Sequence, residues 1–187
     1  TTRAGEQTVD TDEAPGKGKP DKIPQLRPAF AKDGTITAAT SSSISDGAAA
    51  VVLSRESVAK GNGQEPVAKI VALAAHAQEP SEFTVAPVGA IEKVLKSAEW
   101  SADEVDLWEV NEAFACVAMF AMRDIGIPHD KINVNGGGTA LGHPIGASGT
   151  RIIVTLLNAL KQQGKKRGIA SLCIGGGEAT AVAVEMV

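Results

Sequence analysis

Apolar residues recur at every third or fourth position between residues 148 and 163, which is the spacing of one face of a helix. Gly164 follows directly, and glycine commonly ends helices because it adopts left-handed backbone angles without strain. The sequence therefore predicts a helix over 148–163 that buries one apolar stripe. That stripe contains Ile152, Ile153, Leu156, Leu157 and Leu160.

Three further segments carry shorter helical patterns. Residues 87–98 place apolar side chains at helical spacing and begin with a proline, which the first turn of a helix tolerates. Residues 112–125 present an apolar face, and residues 54–60 suit a short helix that a glycine ends. Ser101 and Glu104 fit a capping box, which predicts one more helical turn.

Five apolar runs of strand length are separated by turns and helices. They cover residues 48–53, 67–77, 105–110, 168–174 and 180–187. Strands that alternate with helices are typical of a layered sheet, and the glycine turn at 175–177 reverses the last strand. The predicted fold class is α/β, with a mixed five-stranded sheet layered with helices. A shorter apolar run at 132–134 leads into glycines and is predicted to be a short strand.

Residues 1–29 differ from the rest because prolines, glycines and charged residues are frequent in them, above all between residues 13 and 24. Such a composition disfavours regular structure. We therefore predict a loop segment over residues 1–29, left from the preceding part of a longer protein, and a single domain over residues 30–187.

Bulk composition narrows the class of protein. The 187 residues carry a net charge of −4, so the basic surface typical of nucleic-acid binding is not indicated. No apolar run approaches the ~18 residues that span a membrane, and residues 1–25 lack the apolar core of a signal peptide. Two cysteines without a metal-ligand spacing predict no metal site and a reducing, cytoplasmic location.

His143 is the strongest candidate for chemistry. It lies in Gly142-His143-Pro144, between a triple glycine and the start of a helix, and glycines allow a ligand to approach the backbone closely. Histidine titrates near neutral pH and is the most frequent side chain in proton transfer. The alternative is a structural or solvated histidine, as most lone histidines are.

Two more polar residues stand at the ends of predicted strands. Cys173 precedes the glycines at 175–177, where a ligand can reach backbone N–H groups, but a buried core thiol fits its position equally well. Asn111 can orient a water molecule or simply cap the helix that follows it. Cys116 lies within an apolar helix and is interpreted as a core residue.

Several motifs in a fixed order resemble those of the thiolase family, the acetyl-CoA acetyltransferases and 3-ketoacyl-CoA thiolases. The chain contains WEVNEAFA at 108–115, NVNGGGTALGHPIGASG at 133–149 and CIGGGEA at 173–179, with LRPAF, GTITA and SDGAAAVVL before them. The resemblance runs from about Leu26 to Val187 and covers the C-terminal half of the family only. It implies that residues 30–187 form a thiolase-like C-terminal domain.

The resemblance also implies an acyltransferase that condenses acetyl-CoA or thiolyses a 3-ketoacyl-CoA. His143 would activate a nucleophilic cysteine, and Cys173 would act as acid and base at the substrate carbon. Asn111 would hold a water molecule that, together with His143, stabilises the enolate oxygen of the thioester. The backbone N–H of Gly175 would serve a second oxyanion hole.

A coenzyme A site follows from the same resemblance. Coenzyme A is expected as a substrate, with no permanently bound cofactor. The complete protein is expected to form a homo-oligomer, either a dimer or a tetramer, without nucleic-acid or membrane partners. The predicted coenzyme A contacts are Phe30, Ala38, Ser42, Ile44, Ala113 and Phe114.

Thiolases carry their acyl-accepting cysteine in the N-terminal half, and we expect that half to be missing here and the chain to be inactive alone. A ketoacyl synthase of the same fold is disfavoured by NEAFA together with CIGGG. A non-catalytic domain that binds coenzyme A, or serves as a scaffold, is the other alternative. Such a relative would usually replace NEAFA or GHP, and both are intact, which favours a piece of an active enzyme of fatty acid metabolism.

Overall fold

The computed structural model describes residues 5–6, 8–16 and 18–187, and residues 1–4, 7 and 17 of the predicted loop segment lie outside the described residues. The strands of these ranges are β1 (Ala68–Ala77), β2 (Leu107–Val110), β3 (Arg167–Ile174) and β4 (Glu178–Met186). The α-helices are α1 (Glu13–Gly16), α2 (Glu56–Gly61), α3 (Ala86–Ala98), α4 (Ala115–Ile125), α5 (Gly138–Leu141) and α6 (Ser148–Gln163). Single 3-10 turns cover Pro20–Gln25, Ala38–Thr40, Pro80–Glu82, Ala102–Glu104 and His129–Lys131.

The strands form one mixed sheet in the order β1-β4-β3-β2. β2 and β3 run parallel, whereas β4 is antiparallel to both of its neighbours, β1 and β3. The glycines at 175–177 form the hairpin between β3 and β4, as their pattern predicts. The α/β class with a mixed sheet is therefore confirmed, but the described residues supply four strands to this sheet and not five.

Helices cover both faces of the sheet. α3 and α4 pack on one face, where Ile91 and Trp108 belong to the buried core, and α6 packs on the other face through Leu156. Ile169 and Ala170 are neighbours in β3 and contribute to opposite cores, because side chains alternate along a strand. No helix in the described part of the chain is long and apolar enough to cross a membrane.

The predicted helix over 148–163 is confirmed with its boundaries as α6, and Gly164 ends it with a left-handed φ of 63°. Leu156 and Leu160 of the predicted stripe are fully buried. A Cβ on Gly168 would lie 2.8 Å from Leu156 Cδ1, so the missing side chain lets α6 pack close to β3. Burying one leucine in this way stabilises the fold by roughly 2–3 kcal/mol.

The apolar run at 48–53 is not a strand, contrary to the prediction. Val52 is 95% exposed and Leu53 is 71% exposed. No strand of the described residues pairs with this run. A strand needs a neighbour that takes up its backbone hydrogen bonds, so an apolar pattern alone does not produce one.

Three smaller predictions are also corrected. Residues 132–134 form only an isolated bridge between Ile132 and Trp108, because Asn133 adopts a left-handed φ of 47° that breaks an extended chain. The helix predicted from residue 112 begins at Ala115, since Phe114 is still extended. In the predicted loop segment over 1–29, α1 and the 3-10 turn Pro20–Gln25 are regular structure.

Candidate active site

Asn111 and Cys173 lie at the same edge of the sheet. Val110 is the last residue of β2 and pairs with Ser171 of the parallel strand β3. The backbone N–H of Asn111 donates to the Ser171 carbonyl at 2.9 Å, which extends the ladder by one step. Because the carboxyl ends of parallel strands meet at one edge, Asn111 and Cys173 face the same side of the molecule, where ligands of α/β folds commonly bind.

Besides its pairing with β3, the end of β2 is held by the side chain of Asn133. Asn133 Oδ1 accepts from the backbone N–H of Val110, and Asn133 Nδ2 donates to the Val110 carbonyl, both at 2.9 Å. The same Nδ2 donates to Glu112 at 2.8 Å, and Thr139 Oγ1 donates to the other Glu112 oxygen at 2.5 Å. Glu112 thus ties the glycine loop to the end of β2 and fixes the position of Asn111.

His143 is attached to this edge through a short extended segment. The His143 N–H donates to the Ser43 carbonyl at 2.8 Å, and Ile44 bridges His143 in parallel. One residue earlier in the same segment, the Ser42 N–H donates to the Ala113 carbonyl at 3.1 Å. Ala113 of the NEAFA motif and His143 of the GHP motif, 30 residues apart in the sequence, are therefore both held by this segment.

The hydrogen bonds of the His143 ring define its protonation. Ser148 Oγ lies 2.6 Å from His143 Nδ1 and 3.1 Å from the Pro144 carbonyl oxygen. When the hydroxyl donates to that carbonyl, Nδ1 carries the hydrogen and donates to the hydroxyl oxygen. His143 Nε2 then has a free lone pair and lies 3.5 Å from Asn111 Nδ2, the long limit of a hydrogen bond. Burial, together with the Arg151 cation, lowers the pKa of His143. The ring is thus a neutral base that presents Nε2 to the Asn111 amide.

Cys173, unlike the His143 ring, holds its titratable proton at neutral pH. Its side chain is buried, and burial raises the pKa of its thiol to about 11, with the nearby thiol of Cys116 acting in the same direction. Cys173 is therefore a protonated acid at neutral pH. Within the described residues the ring of His143 makes its hydrogen-bond contacts with Asn111 and Ser148 and not with Cys173.

Gly175 lies exposed in the turn that follows Cys173. Gly177 holds this turn against the end of β1, since its carbonyl accepts from the Gln78 N–H at 3.0 Å. Gly177 has a φ of 97°, and a Cβ there would lie 2.4 Å from the Gln78 carbonyl oxygen. The turn that carries Gly175 is thus anchored by a residue that must be glycine.

Four of the six predicted coenzyme A contacts are brought together. Ser42 Oγ donates to the Ala113 carbonyl at 2.9 Å, and the rings of Phe30 and Phe114 meet edge to face at 5.8 Å. Ile44 is placed beside them by its bridge to His143 and is 88% exposed. Ala38 begins the 3-10 turn Ala38–Thr40.

Sequence reasoning did not identify Glu109, Ser148 and Arg151 as parts of the site. Arg151 Nη1 lies 3.6 Å from Glu109 Oε2, and Arg151 Nη2 donates to Asn111 Oδ1 at 3.4 Å. Two signals pointed to these residues: an acidic residue inside the apolar strand β2, and a serine and an arginine one helical turn apart at the start of α6. Among the residues that the structure describes, no cluster of histidine, cysteine or carboxylate side chains is arranged to bind a metal ion.

Glu109 makes the stability of the fold depend on pH. Its side chain is 1% exposed, and burial raises its pKa from 4.5 to about 7, although the Arg151 cation acts in the other direction. Between these values the folded chain holds a proton that the unfolded chain releases, so stability is highest below 4.5 and falls as the pH rises towards 7. The expected loss is on the order of 3 kcal/mol.

Urea unfolding of the purified chain at about pH 5 and about pH 8 checks this expectation. Glu109→Gln should remove most of the difference between the two values, whereas Glu92→Gln, at an exposed position of α3, should retain it. An equal pH dependence in Glu109→Gln and the wild type would show that Glu109 is not the responsible group.

Comparison with known proteins identifies the family. The family model of the thiolase C-terminal domain matches residues 64–186, and that of the thiolase N-terminal domain matches residues 1–57. The chain therefore belongs to the thiolase family. The predicted domain division at residue 30 stays a prediction.

Curated proteins similar to this chain include acetyl-CoA acetyltransferases. The chain is 47% identical to that of Allochromatium vinosum over 185 residues, which cover 98% of this chain and 47% of that protein. It is 47% identical to that of Yarrowia lipolytica over 186 residues, which cover 100% of this chain and 46% of that protein. The chain thus spans about half the length of the curated relatives it matches.

Solved structures agree with this assignment. The crystal structure of the Bacillus anthracis acetyl-CoA acetyltransferase matches with a TM-score of 0.93 and 40% identity, covering 100% of this chain and 48% of that one. A thiolase from Ascaris suum in complex with coenzyme A matches with a TM-score of 0.87 and 37% identity, covering 96% of this chain and 47% of that one. The fold is that of the thiolases.

Proposed function

We propose that the full-length protein containing this chain transfers acyl groups between acyl-CoA and coenzyme A. The reaction is condensation of two acetyl-CoA molecules or, in reverse, thiolysis of a 3-ketoacyl-CoA. The observation that carries this proposal is the pairing of a neutral base with a protonated acid at one sheet edge: His143 with its free Nε2, and Cys173. Two proton transfers of different kinds need two such groups.

In the first step His143 Nε2 takes the proton of a nucleophilic cysteine, whose sulfur attacks the thioester carbonyl. The acyl group passes to that cysteine, and the departing coenzyme A thiolate takes the proton back from His143. The Nδ1 hydrogen bond to Ser148 stabilises the charged ring in between. We propose that the backbone N–H of Gly175 donates to the oxyanion formed in this step.

The second step concerns the bond between two carbons. In thiolysis this bond breaks, the nucleophilic cysteine keeps the acyl group, and the other fragment leaves as the enolate of acetyl-CoA. The Cys173 thiol donates its proton to the enolate carbon, and the protonated His143 then returns a proton to the Cys173 thiolate. In condensation the steps reverse: the Cys173 thiol gives its proton to neutral His143, the resulting thiolate removes a proton from the acetyl-CoA carbon, and the departing nucleophilic cysteine takes the proton of His143. The enolate oxygen is held by a water molecule bound to Asn111 and by His143, which is protonated at this stage.

Coenzyme A binding is proposed at the surface formed by Phe30, Ser42, Ala113 and Phe114, with Ala38 and Ile44 at its margin. The Ser42 hydroxyl donates to the Ala113 carbonyl and keeps its lone pairs for a donor of the pantetheine arm. The solved thiolase from Ascaris suum, which matches over 96% of this chain, is a complex with coenzyme A. This likeness supports coenzyme A as a substrate of the full-length protein.

The nucleophilic cysteine is proposed to belong to another part of the full-length protein. The chain contains two cysteines, and Cys116 lies half-buried in the first turn of α4 and not in the fully buried core that the sequence predicted for it. A homo-oligomer, a cytoplasmic location and a place in fatty acid metabolism are further parts of this proposal. The two unpaired thiols support a reducing compartment.

A non-catalytic domain that binds coenzyme A, or serves as a scaffold, is the alternative. In this case coenzyme A binding would persist in the full-length protein without any acyl transfer.

The 187-residue chain alone is expected to show no thiolysis of acetoacetyl-CoA, because removal of a nucleophile typically lowers turnover by several orders of magnitude. The measurement is the coenzyme A-dependent loss of acetoacetyl-CoA, with the full-length protein assayed in parallel. Cleavage by the isolated chain would contradict the claim that its nucleophile lies elsewhere. Binding of coenzyme A to a full-length protein without turnover would favour the alternative.

A further inference from the structure

A chain of polar side chains runs from β2 through α6 to the candidate base. Glu109 and Asn111 are each 1% exposed, and Arg151 reaches between them from α6. The Arg151 guanidinium lies 3.6 Å from Glu109 Oε2 and donates to Asn111 Oδ1 at 3.4 Å. The Asn111 amide nitrogen in turn lies 3.5 Å from His143 Nε2.

We infer that Arg151 is a positioning residue: its guanidinium orients the Asn111 amide and places a cation near the His143 ring, with Glu109 as its partner from β2. This inference rests on the proposed function for its effect on turnover. It concerns a residue with no predicted role in the reaction itself.

The orientation of the Asn111 amide follows from what each end can bind. A guanidinium has donors only, so it binds the amide oxygen and leaves the amide NH₂ to face His143. Without Arg151 the amide is free to rotate by half a turn and present its oxygen to Nε2. An oxygen there favours a protonated Nε2, which is the wrong form for a base.

One helix controls both nitrogens of the imidazole. Ser148 binds Nδ1 directly, and Arg151, one helical turn later in α6, binds the partner of Nε2. The tautomer and the neighbour of the free lone pair are therefore set by two residues of the same rigid element. Such outer contacts are what keep a reacting group in a productive geometry.

Three charged groups surround this arrangement. Arg151 comes from α6, Glu109 from β2, and Glu112 from the loop that follows β2, where Asn133 and Thr139 already bind it. The neighbouring groups of His143 itself, Ser43, Asn111 and Ser148, are uncharged. The Arg151 cation is thus the charge that bears on His143, and it lowers the pKa of that ring.

The geometry of the Glu109–Arg151 pair argues against a purely structural role for Arg151. Glu109 Oε1 and Arg151 Nη1 are buried and have no protein hydrogen-bond partner among the described residues. A buried ion pair with incomplete hydrogen bonding contributes little net stability. Its expected effect is on the orientation of Asn111 and on the charge of His143.

The test uses the full-length protein with two substitutions that separate charge from geometry. Arg151→Lys retains the cation but loses the planar fork, so kcat is expected to fall about tenfold with KM retained and the acid limb of the pH profile unmoved. Glu109→Gln combined with Arg151→Met removes both charges and avoids an unpaired buried carboxylate. This double variant is expected to lose kcat similarly and to move the acid limb to higher pH.

The protonation of His143 is measured independently of activity, by NMR titration of isotopically labelled histidines with His143→Gln used for assignment. The double variant should raise the pKa of His143, and Arg151→Lys should not. Arg123→Met, at an exposed position of α4, is the matched control and should change neither readout.

An unchanged pKa of His143 in the double variant, or full kcat in Arg151→Lys, would overturn the inference. Thermal unfolding of each variant shows whether it is folded. If the double variant does not fold, the kcat of Arg151→Lys, which keeps the Glu109 carboxyl and a cation at position 151, still tests the inference. A wild-type protein without acyl transfer would contradict the proposed function alone, since the titration of His143 still tests the role of Arg151.

Discussion

Replacing His143 with alanine in the full-length protein is expected to lower kcat for acetoacetyl-CoA thiolysis about 10³-fold, the typical contribution of a positioned general base. His143 is proposed to act in both steps, because it activates the nucleophile and also helps hold the enolate oxygen. The exchange of acetyl groups between acetyl-CoA and coenzyme A, which needs only the first step, should therefore be lost as well. Both rates are measured on the same preparation.

His129 provides the control for this substitution, since it lies exposed in the 3-10 turn His129–Lys131. His129→Ala should leave both rates within about threefold of the wild type, as surface substitutions usually do. Because burial and Arg151 lower the pKa of His143, the acid limb of kcat/KM should lie below 6.5, the ordinary value. Retention of thiolysis in His143→Ala would show that another group is the base.

Replacing Cys173 with alanine is expected to have a similarly large effect on one reaction and a small effect on the other. Thiolysis and condensation should fall about 10³-fold, because no thiol remains to move the proton at the substrate carbon. Acetyl exchange should persist, since the nucleophile and His143 are unchanged. This difference separates the carbon acid from the base that activates the nucleophile.

Cys116→Ala is the matched substitution for Cys173, because it removes the only other thiol of the chain. It should leave both reactions within about threefold of the wild type, as expected for a residue that packs in a helix. Near-normal condensation in Cys173→Ala would show that Cys173 is not the acid and base at carbon. Loss of acetyl exchange as well would place Cys173 in the first step.

Local pattern was sufficient for most of the regular elements. The stripe of α6 and the glycine after it predicted the helix with its boundaries, and the long apolar runs predicted β1 and β3 to within a residue. These elements are determined by contacts between neighbours in the sequence. The run at 48–53 has an equally apolar pattern and is not a strand, because pairing partners cannot be read from the run itself.

The motifs in their order were likewise sufficient for the family, which the matches to both thiolase domain models confirm. Asn111, His143 and Cys173 were selected from the sequence, and their roles stay proposals. The sequence did not predict the protonation of His143 and Cys173. The pKa of each depends on its burial, and that of His143 also on Arg151, which only folding brings near it.

The sequence by itself determined α6 with its boundaries, the approximate positions of most other helices and strands, the thiolase identity of the motifs, and the candidate residues. The tertiary structure alone decided the strand order, the left-handed Asn133 that ends the 132–134 run, and the contacts from Glu109 through Arg151 to Asn111 and His143. The physical reason is the separation along the chain over which each kind of interaction acts. Propensity and periodicity act over a few residues, whereas pairing, desolvation and charge act between segments that only folding brings together.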